Sequence, residues 1–254
     1  MSSYKIRALT LKKTKLGETD LIVTLLASDG CQVRAVAKGA RKPGSRFGAR
    51  VEPYVVADFL LSTGRTLDVI TDVESVASHA LIRADYDRAQ AASVIADVLD
   101  KISVECQVED RLFGLSVATL DAMQTAEGTG LLAIVVAFLE KAMAMHGYRP
   151  QFASCASCGG PLHTTDDRYS LEAGGPLCAA CDAPLRETAP ATAEVRATLA
   201  ALMGATMTEA AASPASARVL AGCFAVMRAF VGYHVPARLK ALDLYAAEVG
   251  GSTG

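Results

Sequence analysis

The sequence predicts an α+β protein in which a five-stranded β-barrel of the OB type precedes an all-helical body with a zinc-ribbon-like insert. Three observations support this prediction. Short strand-like stretches separated by turn residues fill the N-terminal third, and apolar residues recur at helical spacing from Ala84 onward. Two Cys-x-x-Cys pairs interrupt the helical part. We place the domains at residues 1–80 and 81–250, with the insert at 152–185.

The composition is that of a globular protein, since 51% of the 254 residues are hydrophobic and 20% are charged. The longest apolar run, Gly130 to Leu139, is far shorter than the roughly 20 residues that a membrane-spanning helix needs. The first residues lack the apolar core of a signal peptide. We therefore expect a cytoplasmic protein with reduced cysteines and no membrane partner.

Charge is distributed unevenly along the chain. Residues 1–50 hold 11 Lys and Arg against three acids, a balance of +8, and the remainder holds 14 against 24, a balance of −10. The net charge of −2 conceals this division between a basic head and an acidic body. Such an asymmetry is typical of a chain in which one part meets a polyanion, although it also favours head-to-body association between copies.

The N-terminal strands are predicted from short stretches of β-forming residues. Turns are expected at Gly17–Asp20 and Ser28–Gly30. The predicted strands are Tyr4–Lys13, Asp20–Leu26, Gln32–Lys38, Val51–Ser62 and Thr66–Val73. Closing five strands into a small barrel removes exposed sheet edges, and OB-type barrels hold single-stranded nucleic acid in cationic grooves.

The segment 36–50, here called the basic arm, joins the third and fourth predicted strands. It carries five cations and no acid, and its three glycines and one proline exclude regular secondary structure. Cations on phosphates release condensed counterions, so the arm indicates nucleic-acid binding; the alternative is a loop that only improves solubility. An isolated phenylalanine in a polar turn has little core to join, which makes Phe47 a candidate base-stacking or wedge residue. The candidate nucleic-acid-binding residues are Lys12, Lys13, Lys15, Arg34, Lys38, Arg41, Lys42, Arg46, Phe47 and Arg50.

The remainder of the chain has a period of about 3.6 residues and predicts six helices. Gly130–His146 is the most apolar of them, and we expect it to be the central buried helix, ended by Gly147 and Pro150. The predicted helices are Asp85–Val104, Asp110–Thr125, Gly130–His146, Thr192–Met207, Ala215–His234 and Leu239–Val249.

The four-cysteine insert lies between the third and fourth predicted helices. Cys155 and Cys158 form one Cys-x-x-Cys pair and Cys178 and Cys181 the other, which is the spacing of a zinc ribbon. Four thiolates complete the tetrahedral shell of one structural Zn²⁺ and leave no position for a catalytic water. A redox dithiol would require a thioredoxin-like βαβ context that the sequence lacks, and substitution of His163 for one cysteine is unnecessary.

The sequence has no recognisable catalytic constellation. It contains no phosphate-binding G-x-x-x-x-G-K-[ST] loop, no G-x-S-x-G elbow and no H-E-x-x-H motif, and its four histidines are scattered. We therefore expect no catalytic residues and a protein that is not an enzyme.

Several stretches resemble the bacterial RecO family of recombination mediators. The N-terminal resemblance runs from Leu16 to Leu26, through Asp29-Gly30, and over Ala35 to Arg46. Glu52-Pro53-Tyr54, Gly232-Tyr233-His234 and Leu239-Lys240 also fit, as does the order of barrel, helical body and zinc insert.

This resemblance implies a non-enzymatic DNA repair and homologous recombination protein of the RecF pathway. It would bind single- and double-stranded DNA, anneal complementary strands, and help to load recombinase together with RecR and sometimes RecF. It would also contact the C-terminal tail of single-strand-binding protein. Two alternatives remain open from the residues themselves: a protein-docking adaptor whose basic barrel meets acidic partners, and an RNA-binding translation factor.

Overall fold

The computed structural model describes residues 2–103, 108–182 and 187–251. Val104, at the end of one predicted helix, and residues 183–185 of the predicted insert lie outside these ranges. None of the helices in the described part of the chain is long and apolar enough to cross a membrane. The chain divides into two compact units, Met1–Tyr86 with Ala96–Asp121, and Asp87–Ile95 with Ala122–Gly254.

The first unit is built on a closed five-stranded barrel with the order β1-β2-β3-β5-β4. Neighbouring strands are antiparallel except for β3 and β5, which run parallel, and β1 closes the barrel by pairing with both β2 and β4. The predicted OB-type barrel is therefore confirmed. Its strands are β1 (Ser3–Leu16), β2 (Asp20–Ala27), β3 (Gln32–Ala37), β4 (Val56–Ser62) and β5 (Asp68–Ala77).

The predicted fourth strand begins too early. Gly48–Val51 forms a short 3₁₀ helix, and β4 begins only at Val56. Pro53 has no N–H to contribute to a sheet, and Tyr54 adopts a left-handed backbone with a φ of 72°. The chain therefore turns before it enters the barrel.

The barrel interior is filled from every strand and from the segment before β4. Leu25 of β2, Ala35 of β3 and Leu61 of β4 are fully buried, and Phe47 and Val51 join the same apolar cluster. On β3, the buried Ala35 and Ala37 alternate with the less buried Arg34 and Val36, as the period of two in this stretch predicts.

Eight helices are present in the described residues, two more than the periodicity predicts. The additional ones are the five-residue helices α1 and α6, and the predicted run Thr192–Met207 ends at Gly204, before α6 begins. The helices are α1 (Ala80–Ala84), α2 (Tyr86–Ile102), α3 (Asp110–Thr125), α4 (Gly130–Met145), α5 (Ala193–Gly204), α6 (Met207–Ala211), α7 (Ala217–His234) and α8 (Lys240–Gly251).

Helix α4 is the buried helix of the second unit, as its composition predicts. Its residues from Ala133 to Leu139 are all fully buried. Glu140 follows them, and its carboxyl is also buried, with no hydrogen-bond partner on either oxygen among the residues that the structure describes. Burial raises the pKa of Glu140 well above its usual range, although nearby Lys141 acts in the opposite direction.

The cysteine insert is a small three-stranded sheet with adjoining loops, between α4 and α5. β6 (Arg168–Ser170) lies centrally and pairs with β7 (Gly175–Pro176) and β8 (Thr188–Pro190). Tyr169 of β6 is fully buried, and its ring meets Phe152 at 5.9 Å and Phe230 of α7 at 6.1 Å between centroids. This ring anchors the insert in the second unit.

Candidate nucleic-acid interface and metal centre

The root of the basic arm is fastened to the turn between β1 and β2. The Asp20 carboxylate accepts hydrogen bonds from the Gly39 N–H at 2.8 Å and from the Thr19 hydroxyl at 2.9 Å. The Arg41 guanidinium donates to the carbonyls of Gly17 and Glu18, and its N–H donates to the carbonyl of Thr19. These bonds hold the arm at one end of the barrel.

Asp20 is a positioning residue that the sequence reasoning missed. The Gly39 N–H contributes most to lowering the pKa of this carboxyl, the Thr19 hydroxyl adds to it, and the charges of Lys38 and Lys42 reinforce it. Burial acts against these effects and outweighs the contribution of either lysine alone. The sequence signal for this role is the acid that ends the Gly17–Asp20 turn, at the start of β2.

Five of the candidate cations form no ion pair with an acid among the described residues. Each is exposed and takes part in no ion pair or side-chain hydrogen bond within the described ranges: Lys15, Arg34, Lys38, Lys42 and Arg46. Lys15 pairs in register with Leu21, and Leu21 with Ala37, so Lys15 lies two strands from the root of the arm. The arm and the neighbouring end of β1 therefore present uncompensated positive charge.

Two other candidates are held by carboxylates of the same unit. The Lys12 ammonium lies 2.7 Å from Asp100, and the Lys13 ammonium lies 2.5 Å from Glu52. Asp100 also pairs with Lys101, and its pKa is lowered because the bonds to both lysines outweigh its burial. Lys12 and Lys13 are thus less available to an external polyanion than sequence alone indicates.

The remaining arm arginine, Arg50, makes only long hydrogen bonds to backbone carbonyls. Its guanidinium lies 3.4 Å from the carbonyl of Arg46 and 3.5 Å from that of Val73. Neither contact neutralises its charge.

The premise for Phe47 as a stacking residue was wrong. Its side chain is only 3% exposed and belongs to the barrel core. The sequence shows a polar turn around Phe47, but the arm folds back so that the ring closes the end of the barrel. The Arg46 guanidinium covers the ring at 5.0 Å from its centroid. A ring in this position has no free face for a base, and we remove Phe47 from the candidate interface.

The four cysteines of the insert converge on one point. The sulfur atoms of Cys155, Cys158, Cys178 and Cys181 all lie within 4.8 Å of one another, with 3.8 Å between the sulfurs of Cys158 and Cys178. A tetrahedral metal with bonds of about 2.3 Å places its sulfur ligands about 3.8 Å apart. The donor set and its spacing therefore fit a metal ion, whereas His163 is not part of the cluster.

Each Cys-x-x-Cys pair forms a tight turn that directs both sulfurs inward. The Gly159 N–H donates to the Cys155 carbonyl at 2.8 Å, and the Cys181 N–H donates to the Cys178 carbonyl at 2.9 Å. Backbone N–H groups also point at the sulfurs, including that of Cys178 at 3.4 Å from Cys155 Sγ. Although burial opposes the effect, these N–H groups lower the pKa of the Cys155 thiol to about 6, which favours the thiolate that binds metal.

The loop between the two cysteine pairs is held by a buried arginine. Arg196 of α5 is 6% exposed, and its guanidinium donates to the carbonyls of Ala191 at 2.9 Å and His163 at 3.0 Å, and to that of Asp166. Three carbonyl acceptors satisfy a charge that would otherwise be costly to bury. The sequence offers no signal for this contact beyond an arginine in an apolar helix.

Family models match nearly the whole chain. The model for the N-terminal part of recombination protein O matches residues 1–79, and the model for its C-terminal part matches residues 83–243. The boundary between the two matches coincides with the end of the barrel strands.

Curated relatives point to the same family. The "DNA repair protein RecO" of Nocardioides sp. is 35% identical over 244 residues, 94% of this chain and 97% of the relative. That of Frankia casuarinae is 37% identical over 245 residues, covering 95% and 98% of the two chains. That of Rubrobacter xylanophilus is 40% identical over 187 residues, covering 72% and 74%. The chain therefore belongs to the RecO family.

Proposed function

We propose that this protein is a non-catalytic DNA repair and recombination mediator that binds single- and double-stranded DNA and anneals complementary strands. The observation that carries the proposal is the group of five exposed cations that form no ion pair within the described residues, on and beside an arm fixed to the end of an OB-type barrel. Membership of the RecO family and the names of its relatives support a role in DNA repair.

Annealing on such a surface requires no active site. Two single strands repel each other through their phosphates, and bound cations reduce this repulsion while the bases remain available for pairing. The chemical roles of the arm are therefore to bind the sugar–phosphate chain and to screen it.

The cysteine cluster is proposed to hold one structural Zn²⁺. Cys155, Cys158, Cys178 and Cys181 would fill its coordination shell, so the ion would supply folding free energy and no chemistry at an open site. The small sheet of the insert has little apolar mass of its own, which supports this role.

The proposed partners follow from family membership. They are RecR, in some systems RecF, and the C-terminal tail of single-strand-binding protein, with recombinase loading on nucleoid DNA as the outcome. The docking-adaptor alternative predicts instead that acidic protein partners displace DNA completely from the barrel.

The decisive experiment is a strand-annealing and binding assay over a range of salt concentrations. Reversing Lys38, Lys42 and Arg46 to Glu, which leaves the Arg41 fastening in place, should abolish annealing and greatly weaken binding to both single- and double-stranded DNA. Arg218→Glu, an exposed charge on α7 outside the barrel, is the control and should leave both activities nearly unchanged. Unaltered annealing in the triple variant would contradict the proposal.

A further inference from the structure

An aromatic patch lies at the surface of the second unit, where α4 and α7 end. It consists of Tyr148, Tyr233 and His234. The Tyr148 ring stacks on His234 at 4.3 Å between centroids with an interplanar angle of 28°, and the Tyr233 ring meets His234 edge-on at 4.9 Å. Three rings are thus assembled from two separate elements.

The patch has a rigid base. His234 Nε2 donates to the Leu171 carbonyl at 2.9 Å, and its ring contacts the buried Phe230 at 4.4 Å. Both contacts fix the imidazole on which Tyr148 rests. A fixed platform loses little conformational entropy when a ligand ring stacks on it.

Both tyrosines remain substantially exposed. Tyr148 is 41% and Tyr233 is 40% exposed, and within the described ranges neither phenol hydroxyl has a hydrogen-bond partner. Core packing therefore does not account for the outer parts of these two rings. In the barrel, by contrast, the arm offers no stacking ring, since Phe47 is buried.

Positive charge borders the patch. Arg149 follows Tyr148 directly, and Arg238 lines a groove of about 340 Å³ together with Ala229 and Gly232 of α7. Ala229 and Tyr233 are four residues apart on α7 and share one side of the helix, and Gly232 of the groove directly precedes Tyr233. Arg149 and Arg238 are exposed and have no ion pair within the described part of the chain.

The acid that lines the groove is already paired. Asp243 forms an ion pair with Arg228 at 3.0 Å. Arg238 therefore keeps its positive charge within the described part of the groove.

We infer that Tyr148 and Tyr233, with Arg149 and Arg238, form a second nucleic-acid site that binds the bases of a single strand by stacking. Bases in a duplex are already stacked on each other, so exposed rings select single strands, while the arginines contact the flanking phosphates. This inference rests on the proposed function only in that the ligand is nucleic acid. It assigns base contact to the helical unit and backbone contact to the barrel.

The test compares a fluorescent dT oligonucleotide with an abasic phosphodiester chain of the same length. Tyr148→Leu/Tyr233→Leu should weaken dT binding by at least about fivefold per tyrosine, and should leave the salt slope and abasic binding unchanged. Tyr148→Phe/Tyr233→Phe should bind like the wild type, because the ring faces are retained. Tyr86→Leu, which removes a 69% exposed tyrosine elsewhere, is the control.

A second measurement uses the unmodified chain, so that it does not depend on the stability of a variant. A single strand containing 5-iododeoxyuridine should photocrosslink to Tyr148 or Tyr233, as located by mass spectrometry. Equal binding of dT and abasic chains by the wild type, with no crosslink at either tyrosine, overturns the inference even when the arm variant loses binding. A wild-type chain that binds neither oligonucleotide overturns the proposed function as well.

Discussion

The salt dependence of single-strand binding follows from how the structure divides the candidate cations. Lys15, Arg34, Lys38, Lys42 and Arg46 form no ion pair in the described ranges, whereas Lys12 and Lys13 are paired with carboxylates. With a slope of about −0.7 per phosphate contact on single strands, these five barrel cations contribute about −3.5 to the slope of log K against log salt. Through this contribution alone, a fourfold increase in salt should weaken binding by about 130-fold.

Two matched lysine pairs test this division. Lys38→Gln/Lys42→Gln removes two unpaired cations and should reduce the barrel's contribution to the slope from about −3.5 to about −2.1, so that its share of the affinity loss on a fourfold increase in salt falls to about 20-fold. Lys12→Gln/Lys13→Gln removes the same formal charge but should leave the slope unchanged, because these ammonium groups already face Asp100 and Glu52.

The assay is fluorescence anisotropy with a labelled single strand, titrated at several salt concentrations. Circular dichroism of each variant confirms that the barrel is folded. Equal slopes for the two variant pairs would refute the division between free and paired cations. A slope near zero for the wild type would refute phosphate contact altogether.

Three further predictions concern the metal centre and the two cores. Replacing Cys178 and Cys181 with Ser should reduce metal content from about one equivalent to near zero and lower the melting temperature of the helices; unchanged values of both would contradict the ribbon. Glu140 has a raised pKa in the folded state, so the native state holds a proton that the unfolded chain releases. As the pH rises from the unfolded pKa toward the folded pKa of Glu140, the free energy of unfolding should therefore fall by about 1.4 kcal/mol per pH unit. Glu140→Gln should remove this dependence in urea denaturation, and an identical pH slope in the two proteins would contradict it. Phe47→Ala should destabilise the barrel by about 3–5 kcal/mol in the same assay, whereas a surface ring would cost far less.

β-forming and alternating stretches between turn residues predicted the barrel strands, because both features leave a local trace in the sequence. The prediction failed where the chain leaves regular structure. The start of β4 was misplaced because Val51 and Tyr54 are β-forming residues just before an apolar run, although Val51 ends the 3₁₀ helix and β4 begins at Val56. Pro53 was visible, but the left-handed backbone of Tyr54 was not.

The candidate sites show the same difference between features set by local sequence and features set by long-range contacts. The four cysteines were predictable because short pairs with fixed spacing close a local turn. Whether each lysine is paired with an acid was not predictable, since Lys12 binds Asp100, which lies 88 positions away in the sequence. The burial of Phe47 depends likewise on how the arm folds back onto the barrel, a long-range outcome that no window of sequence contains.

Asp20 explains how the basic arm is fixed in place while its positive charge is retained. This carboxylate is the only acid bonded to the root of the arm in the described structure, and it accepts from a backbone N–H rather than closing an ion pair with a lysine. Its lowered pKa keeps it ionised, so the fastening persists into acidic conditions, since a depressed carboxyl pKa stabilises the fold until the pH falls toward that value. One carboxylate cannot neutralise the arm's five cations. The structure thus fixes the position of the arm and leaves most of its positive charge without an acidic partner. The phosphates of a nucleic acid carry the negative charge that such a surface binds.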